Sequence, residues 1–288
     1  MPESTERGGQ TTSSLSTIPR PGMHEQRAPK RSVWSQRLRD RLPGLLSFAG
    51  FILLWQLAIW IFDPDPILFP TPLAVLEALV DAFADGTMVP AVTDSMYAML
   101  VGLVLSLVVG IPLGLLIGMS PTADLLTSPY LWGFFAMPRI ALAPIIILIL
   151  GFGTQTKITL VFLSAVIPLM LSCKDGVHTA DASLIAAARS FGANKFDLFA
   201  RIIVPGTLPF IASGIRNGIS RGFVGLLVIE LTVGSGGIGT QVMRSMRQFD
   251  TARMFAFAAV LIVFAMILIG ISRRLESYAS RWREEVVV

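Results

Sequence analysis

DSMYAMLVGLVLSLVVGIPLGLLIGM, residues 94–119, holds no charged side chain after Asp94. About 20 apolar residues carry a helix across the hydrocarbon core of a bilayer, so this stretch predicts a transmembrane span. Gly102, Gly110, Gly114 and Gly118 recur along it, and small residues of that kind let a neighbouring helix approach closely. The rest of the chain is of the same character. Of its 288 residues, 53% are hydrophobic and only 15% charged, against about 25% charged in average soluble proteins. A soluble domain of this size could not hide so much apolar surface, whereas a bilayer solvates it. The fold class is therefore all-α and polytopic.

Reading outward from that span, residues 44–62 (GLLSFAGFILLWQLAIWIF) form an uncharged first span, with Trp55 and Trp60 placed for an interface. The DPDPILFPTP segment that follows carries four prolines, which preclude a regular helix. Residues 72–85 resume with helical spacing, Leu73, Leu76, Leu79, Val80 and Phe83 making one apolar face. Beyond residue 119, the stretch SPTADLLTSP (120–129) reads as a turn. A third span follows over 130–152, interrupted at Pro138 and Pro144, then a fourth over 157–173, a fifth over 208–233 and a sixth over 254–271. The glycine-rich GSGGIGTQ, residues 234–241, breaks the chain after the fifth span and reads as a re-entrant turn or extracytoplasmic gate. Six spans form a transmembrane domain over 42–273, between a basic, disordered tail at 1–41 and a tail at 274–288.

Charge sets the topology. The formal net charge is +4, but the basic residues are not spread as on a nucleic-acid surface. Eight lie in the first tail, four in the loop 174–205 and four over 273–288, and none occurs from Leu42 to Pro138. Cytoplasmic segments of membrane proteins are rich in Lys and Arg. Both termini and the 174–205 loop are thus expected inside a cell membrane, with the first tail attracted to anionic lipid and no nucleic-acid partner. The loop around Asp124 should also be inside, yet has no basic residue of its own. The single cysteine, Cys173, allows no intrachain disulfide, and His24 and His178 are too isolated to hold a metal.

The 174–205 loop continues into DASLIAAARSFGANKFDLFARIIVPGTLPF, residues 181–210. Asp181 is placed to cap one short helix ending near Phe191. Gly192 permits the positive φ of a break. Asn194 is placed to cap a second helix that ends before Pro205, with Phe196, Phe199 and Ile203 on one face. A folded elbow outside the lipid on the cytoplasmic side is expected to meet a protein.

This loop resembles the EAA loop of bacterial ABC importer permeases, whose pattern is E-A-A, three residues, Gly, nine residues, then I-x-L-P. Ala187 and Ala188 take the two alanine places and Gly192 the glycine; Ile202, Ile203, Val204 and Pro205 close the motif. Ala186 stands where the family has Glu, and Val204 where it has Leu. ILFPTPLAVLEAL, MPRIALAPIIILILGFG, GIRNGIS and VIELTVGSGGIGTQV resemble segments of permeases for aliphatic sulfonates, taurine and nitrate. The resemblance implies the coupling function at Ala187, Ala188, Gly192, Phe196, Phe199, Ile202 and Pro205. It implies ATP-binding cassette subunits docked there, a second permease copy or close paralogue, an extracytoplasmic solute-binding protein, and a small organic or inorganic anion as cargo. The chain has no G-x-x-x-x-G-K-[ST] sequence, so it holds no phosphate-cradling loop of that kind. No catalytic residue, metal or cofactor is expected in it, ATP being bound by the partner subunit.

Arg139, Arg221 and Glu230 lie in apolar segments, and Arg216 near a span end. A charge at the bilayer centre costs at least about 2.5–3.5 kcal/mol, so such side chains face protein or water. Arg139, Arg221 and Glu230 are candidates for the translocation path; the competing reading is an Arg–Glu contact that only joins spans. The alternative function is a gradient-driven secondary transporter or channel, which predicts inverted repeats that the sequence does not display.

Overall fold

The structure, a computed structural model, describes residues 33–279, and their side chains except those of residues 33–42, 45, 139, 140, 278 and 279. Most of both basic tails lies outside the described residues. The chain divides into two units, Met1–Phe51 and Ile52–Val288. Helix α1, Val33–Phe62, runs through the boundary, and every other element belongs to the second unit. This helix begins inside the stretch that its composition assigns to an unstructured tail. Residues 33–41 include three Arg, one Gln and one Leu, all good helix formers, so they extend the helix in spite of their polarity. Thr71 caps α2, Pro72–Ala84, its hydroxyl accepting the Ala74 N–H at 3.1 Å, as the 72–85 pattern predicts.

The core is built on one helix. Helix α6, Thr154–His178, packs along α3, Met88–Met119, on one side and α9, Val204–Val233, on the other. Both neighbours turn glycines towards it. A Cβ on Gly102 of α3 would lie 2.7 Å from Val161, and one on Gly114 would lie 2.7 Å from Cys173. On α9, a Cβ at Gly225 would lie 2.5 Å from the Ser164 hydroxyl and one at Gly214 2.9 Å from Ser172. Lipid tails are as apolar as the helices, so association comes from close packing rather than from water exclusion, and backbone-to-backbone contact along α6 is how this chain obtains it. The closing helix α11, Thr251–Ala279, lies against α9, α2 and the short α10, Ile238–Arg247.

The third segment departs from the sequence-based expectation. Residues 120–129 are not a turn. Ser120 caps α4, Pro121–Ala136, by accepting the Ala123 N–H at 3.3 Å, and Pro121 in the first turn suits a helix start. The helix stops at Met137, which is extended (φ −65°, ψ 131°) because it precedes Pro138. A 3-10 turn, Arg139–Leu142, and α5, Ala143–Leu150, complete the segment. At 16 and 8 residues, neither α4 nor α5 alone reaches the length of a membrane span. Among the described residues four helical stretches are long and apolar enough to cross: Met88–Met119, Thr154–His178, Thr251–Ser277 and the stretch Lys195–Arg247 that contains α9; Leu46–Phe62 is a shorter apolar helix.

Candidate functional site

The elbow lies where α6 ends and α9 begins. Asp181 caps α7, Ala182–Ser190, by accepting the Ser183 N–H at 2.7 Å. The helix closes on itself: Phe191 N–H donates to the Ala187 carbonyl at 3.2 Å and Ala193 N–H to that of Ala188 at 3.0 Å. Between them Gly192 takes φ +81°, the left-handed geometry expected at a helix end. Asn194 then caps α8, Lys195–Leu198, accepting the Asp197 N–H at 2.9 Å.

The second helix does not end before Pro205, contrary to the expectation from sequence. A π-helical turn, Phe199–Ile203, joins α8 to α9, and Val204 N–H donates to the Phe199 carbonyl five residues back. The wider turn absorbs the donor that Pro205 lacks, and the helical path runs on into the span. The three apolar residues assigned to one face also separate. Phe199 and Ile203 pack against Leu115, Leu169, Cys173 and Val177, whereas Phe196 is 75% exposed. With Phe191 at 93% and Leu184 at 56%, Phe196 leaves the elbow bearing bare apolar side chains; α7 buries no residue at all. Phe191 and Leu184 were missed in the sequence, although an aromatic beside a helix-breaking glycine marks the corner.

The missing basic partner of Asp124 comes from α6. Lys174 Nζ lies 3.0 Å from the Asp124 carboxylate and His178 Nε2 lies 3.6 Å from it, and Lys174 also donates to the Ser128 hydroxyl at 2.9 Å. These contacts tie α4 to the elbow end of α6.

At the opposite end of α6 is a buried ionic clasp that sequence reasoning did not assemble. Lys157, in the first turn of α6, donates to Asp94 of α3 and lies 3.8 Å from Glu230 of α9. Lys157, Glu230 and Ser95 are fully buried. Ser95 donates to Glu230 Oε1 at 2.7 Å while accepting the Ile238 N–H at 2.9 Å, and Gly239 N–H donates to Glu230 Oε2 at 2.9 Å. Thr240 donates to the Glu230 carbonyl at 3.1 Å. The first backbone donors of α10, which have no partner within the helix, are thus satisfied by side chains of α3 and α9. The turn between α9 and α10 needs its glycines for this: Gly234, Gly236 and Gly237 all have positive φ, and a Cβ on Gly237 would overlap the Glu230 carboxylate. Residues 234–237 therefore form a tight turn, and with 238–241, the first turn of α10, they are locked onto Glu230.

Of the charged path candidates, Glu230 and Arg221 have different partners. Glu230 is committed to the clasp. Arg221 stacks on the Phe135 ring, 4.4 Å from its centroid, and Arg216 pairs with Glu276 at 2.8 Å. The Arg139 side chain lies outside the described residues; its backbone belongs to the 3-10 turn that packs against α9. The inter-span ion pair expected as a competing reading exists for Glu230, with a lysine in place of an arginine.

A family model described as binding-protein-dependent transport system inner membrane component matches residues 110–280. The taurine transport system permease protein TauC of Escherichia coli K12 is 28% identical over 88% of this chain and 96% of its own length. A permease protein of the same organism named for aliphatic sulfonates transport, SsuC, is 31% identical over 81% of this chain and 89% of its own. Among solved structures, an inward-facing form of the MetNI methionine ABC transporter superposes with a TM-score of 0.58 at 18% identity, covering 67% of this chain and 96% of that one.

Proposed function

The chain belongs to the family of binding-protein-dependent transport system inner membrane components, and from that membership we propose that it forms, with a second copy or a close relative, the path by which an ATP-driven importer takes up a small anion. The elbow carries this reading. It holds Phe191, Phe196 and Leu184 bare at one end of the bundle, on a corner fixed by two capped helices and continuous with α9. A rigid corner with exposed apolar side chains suits docking of an ATP-binding subunit, and the unbroken helix from Lys195 into α9 suits transmission of its movement to the span. Nucleotide binding in that subunit closes it, moves the elbow and switches access to the path. A solute-binding protein delivers cargo at the clasp end, which faces the outside, and both termini are cytoplasmic. The cargo is an aliphatic sulfonate, taurine or a nitrate-like anion, in keeping with the names of TauC and SsuC; Arg139 and Arg221 supply positive charge along the way.

The test is co-purification from the native membrane in mild detergent. Wild type is expected to bring an ATP-binding subunit with it. Gly192→Pro, which cannot adopt φ +81°, is expected to lose that subunit while α3, α6 and α9 stay folded. A well-folded wild type that recovers no ATPase, with uptake continuing without ATP, would overturn the reading in favour of a gradient-driven carrier.

A further inference from the structure

Helix α9 has two unlike faces. Gly214, Gly218, Gly222 and Gly225 lie on the side packed against α6. On the other side Ser213, Asn217, Ser220 and Val224 follow at the spacing of a single stripe, and Arg221 flanks it. Asn217, Ser220 and Val224 are exposed, and Ser213 and Arg221 half-buried. The exposed faces of the neighbouring spans differ sharply: on α3 they include Val104, Leu105 and Val108, and on α11 Ile262, Val263 and Met266. Those residues suit lipid. An amide and a guanidinium halfway along the apolar segment 208–233 do not, and polar groups at that depth face protein or a water-filled cavity.

Arg221 is also poised rather than spent. Stacking on Phe135 fixes the plane of the guanidinium but leaves the N–H groups around its edge, and among the described residues no carboxylate pairs with it. Its neighbour Arg216 is already engaged by Glu276. A stacked arginine with free donors recognises planar or branched oxyanions through several hydrogen bonds at once. Asn217 and Ser220 add an amide and a hydroxyl one turn or less away along the helix.

We propose that Asn217, Ser220 and Arg221 form one half of an oxyanion subsite midway along the path, suited to a sulfonate headgroup, with the second copy of the chain supplying the other half. Arg221 contributes the charge and paired N–H donors; the Asn217 amide and Ser220 hydroxyl bond the remaining oxygens. The subsite rests on the transport reading above and narrows its cargo to sulfonate-like anions.

The experiment uses the full complex, with its ATP-binding subunit, in proteoliposomes. Cys173, which is buried, is replaced by serine and Ser220 by cysteine. The probes are a sulfonate-bearing methanethiosulfonate reagent and its trimethylammonium counterpart of similar size. Both are expected to label Ser220→Cys from water, the anionic one faster by on the order of tenfold, the scale of acceleration that a charge-lined cleft gives. Arg221→Gln is expected to abolish that preference and Arg221→Lys to keep much of it. Ser220→Cys that stays unreactive while an elbow position, Ser190→Cys, reacts would overturn the proposal, as would labelling without preference for the anion. ATP-dependent taurine uptake by separate, unlabelled vesicles holding the complex of the unsubstituted chain separates the two levels. Uptake without anion preference refutes the subsite alone; anion preference without any ATP-dependent transport refutes the importer reading and leaves the subsite standing.

Discussion

The two ends of α6 are held in opposite ways. At one end Lys157, Glu230 and Ser95 are sealed from solvent, and the Ile238, Gly239 and Thr240 donors of the following turn find a hydroxyl, a carboxylate and a carbonyl. At the other end the elbow satisfies its backbone locally, through its own caps and one glycine, and leaves Phe191 and Phe196 bare. Lys157 and His178 are separated by about 32 Å of helix at 1.5 Å per residue. Buried ion pairs fix geometry because breaking one strands a charge, whereas a locally capped corner can move as a unit. The lesson is a division of labour along one bundle: the clasp end keeps α3, α6 and α9 in register, and the elbow end, under the proposed function, is the part that a docked subunit moves.

That contrast can be broken in several places. The largest effect is expected at Glu230. Glu230→Ala leaves the Ser95 hydroxyl and the Gly239 N–H without their acceptor and Lys157 with Asp94 alone, and loss of one member of a buried pair costs about 3–5 kcal/mol; chemical unfolding in detergent measures it. Lys157→Met combined with Glu230→Gln is expected to cost less than the sum of the single changes, because no stranded charge remains from that pair.

Next comes a pair of glycines. Gly192→Ala and Gly237→Ala both force a side chain into positive φ, at about 1–2 kcal/mol. Nothing lies within 4 Å of a Cβ at Gly192, whereas one at Gly237 meets Glu230. Gly237→Ala is therefore expected to cost about 1–3 kcal/mol more than Gly192→Ala, the usual range for overpacking. Equal losses in thermal unfolding would remove the distinction between the two ends.

Smaller still is the effect on folding at the elbow surface. Phe191→Ala and Phe196→Ala are expected to change stability by less than about 0.5 kcal/mol, yet to weaken binding of the ATP-binding subunit by about thirtyfold, the equivalent of a 2 kcal/mol anchor. Titrating the labelled subunit against each variant checks this.

The smallest effect concerns Asp85, beyond α2, which bonds Thr87 and Arg253. The Thr87 hydroxyl and N–H, and then Arg253, hold its carboxyl below the ordinary carboxylate range. A depressed folded pKa means that the contribution is present above the unfolded value, near pH 4, and is lost as pH falls through the lower folded value. The stability gap between wild type and Asp85→Ala should therefore close on acidification from about pH 5 and be constant above it.

Much of the elbow was legible in sequence because its determinants are local: Asp181, Gly192 and Asn194 act on residues two or three positions away. Four of the expected spans and the glycine faces of α3 were legible for the same reason, since periodicity is a short-range property, whereas the expected turn at 120–129 and third span are the two shorter helices α4 and α5. Two further things were not legible. The π turn at Phe199–Ile203 replaces a break that Pro205 alone would predict, and only the packing of Phe199 and Ile203 against α6 makes the continuous path worthwhile. The clasp joins side chains 63 and 135 positions apart. A signal for it existed: Asp94 and Lys157 open two spans and Glu230 nears the end of a third, so alternating spans bring all three to one end. Pairing them required the register of α3 and α9 on α6, which the glycines set in space and the sequence does not spell out.

Hydrogen–deuterium exchange on the chain, with and without its ATP-binding subunit, tests the division most directly. Exchange is expected to slow across residues 184–203 when the subunit binds, while residues 94–99 and 230–240 are already slow and stay unchanged. A complex that forms without altering exchange at 184–203, or that protects residues 230–240 instead, would contradict that division.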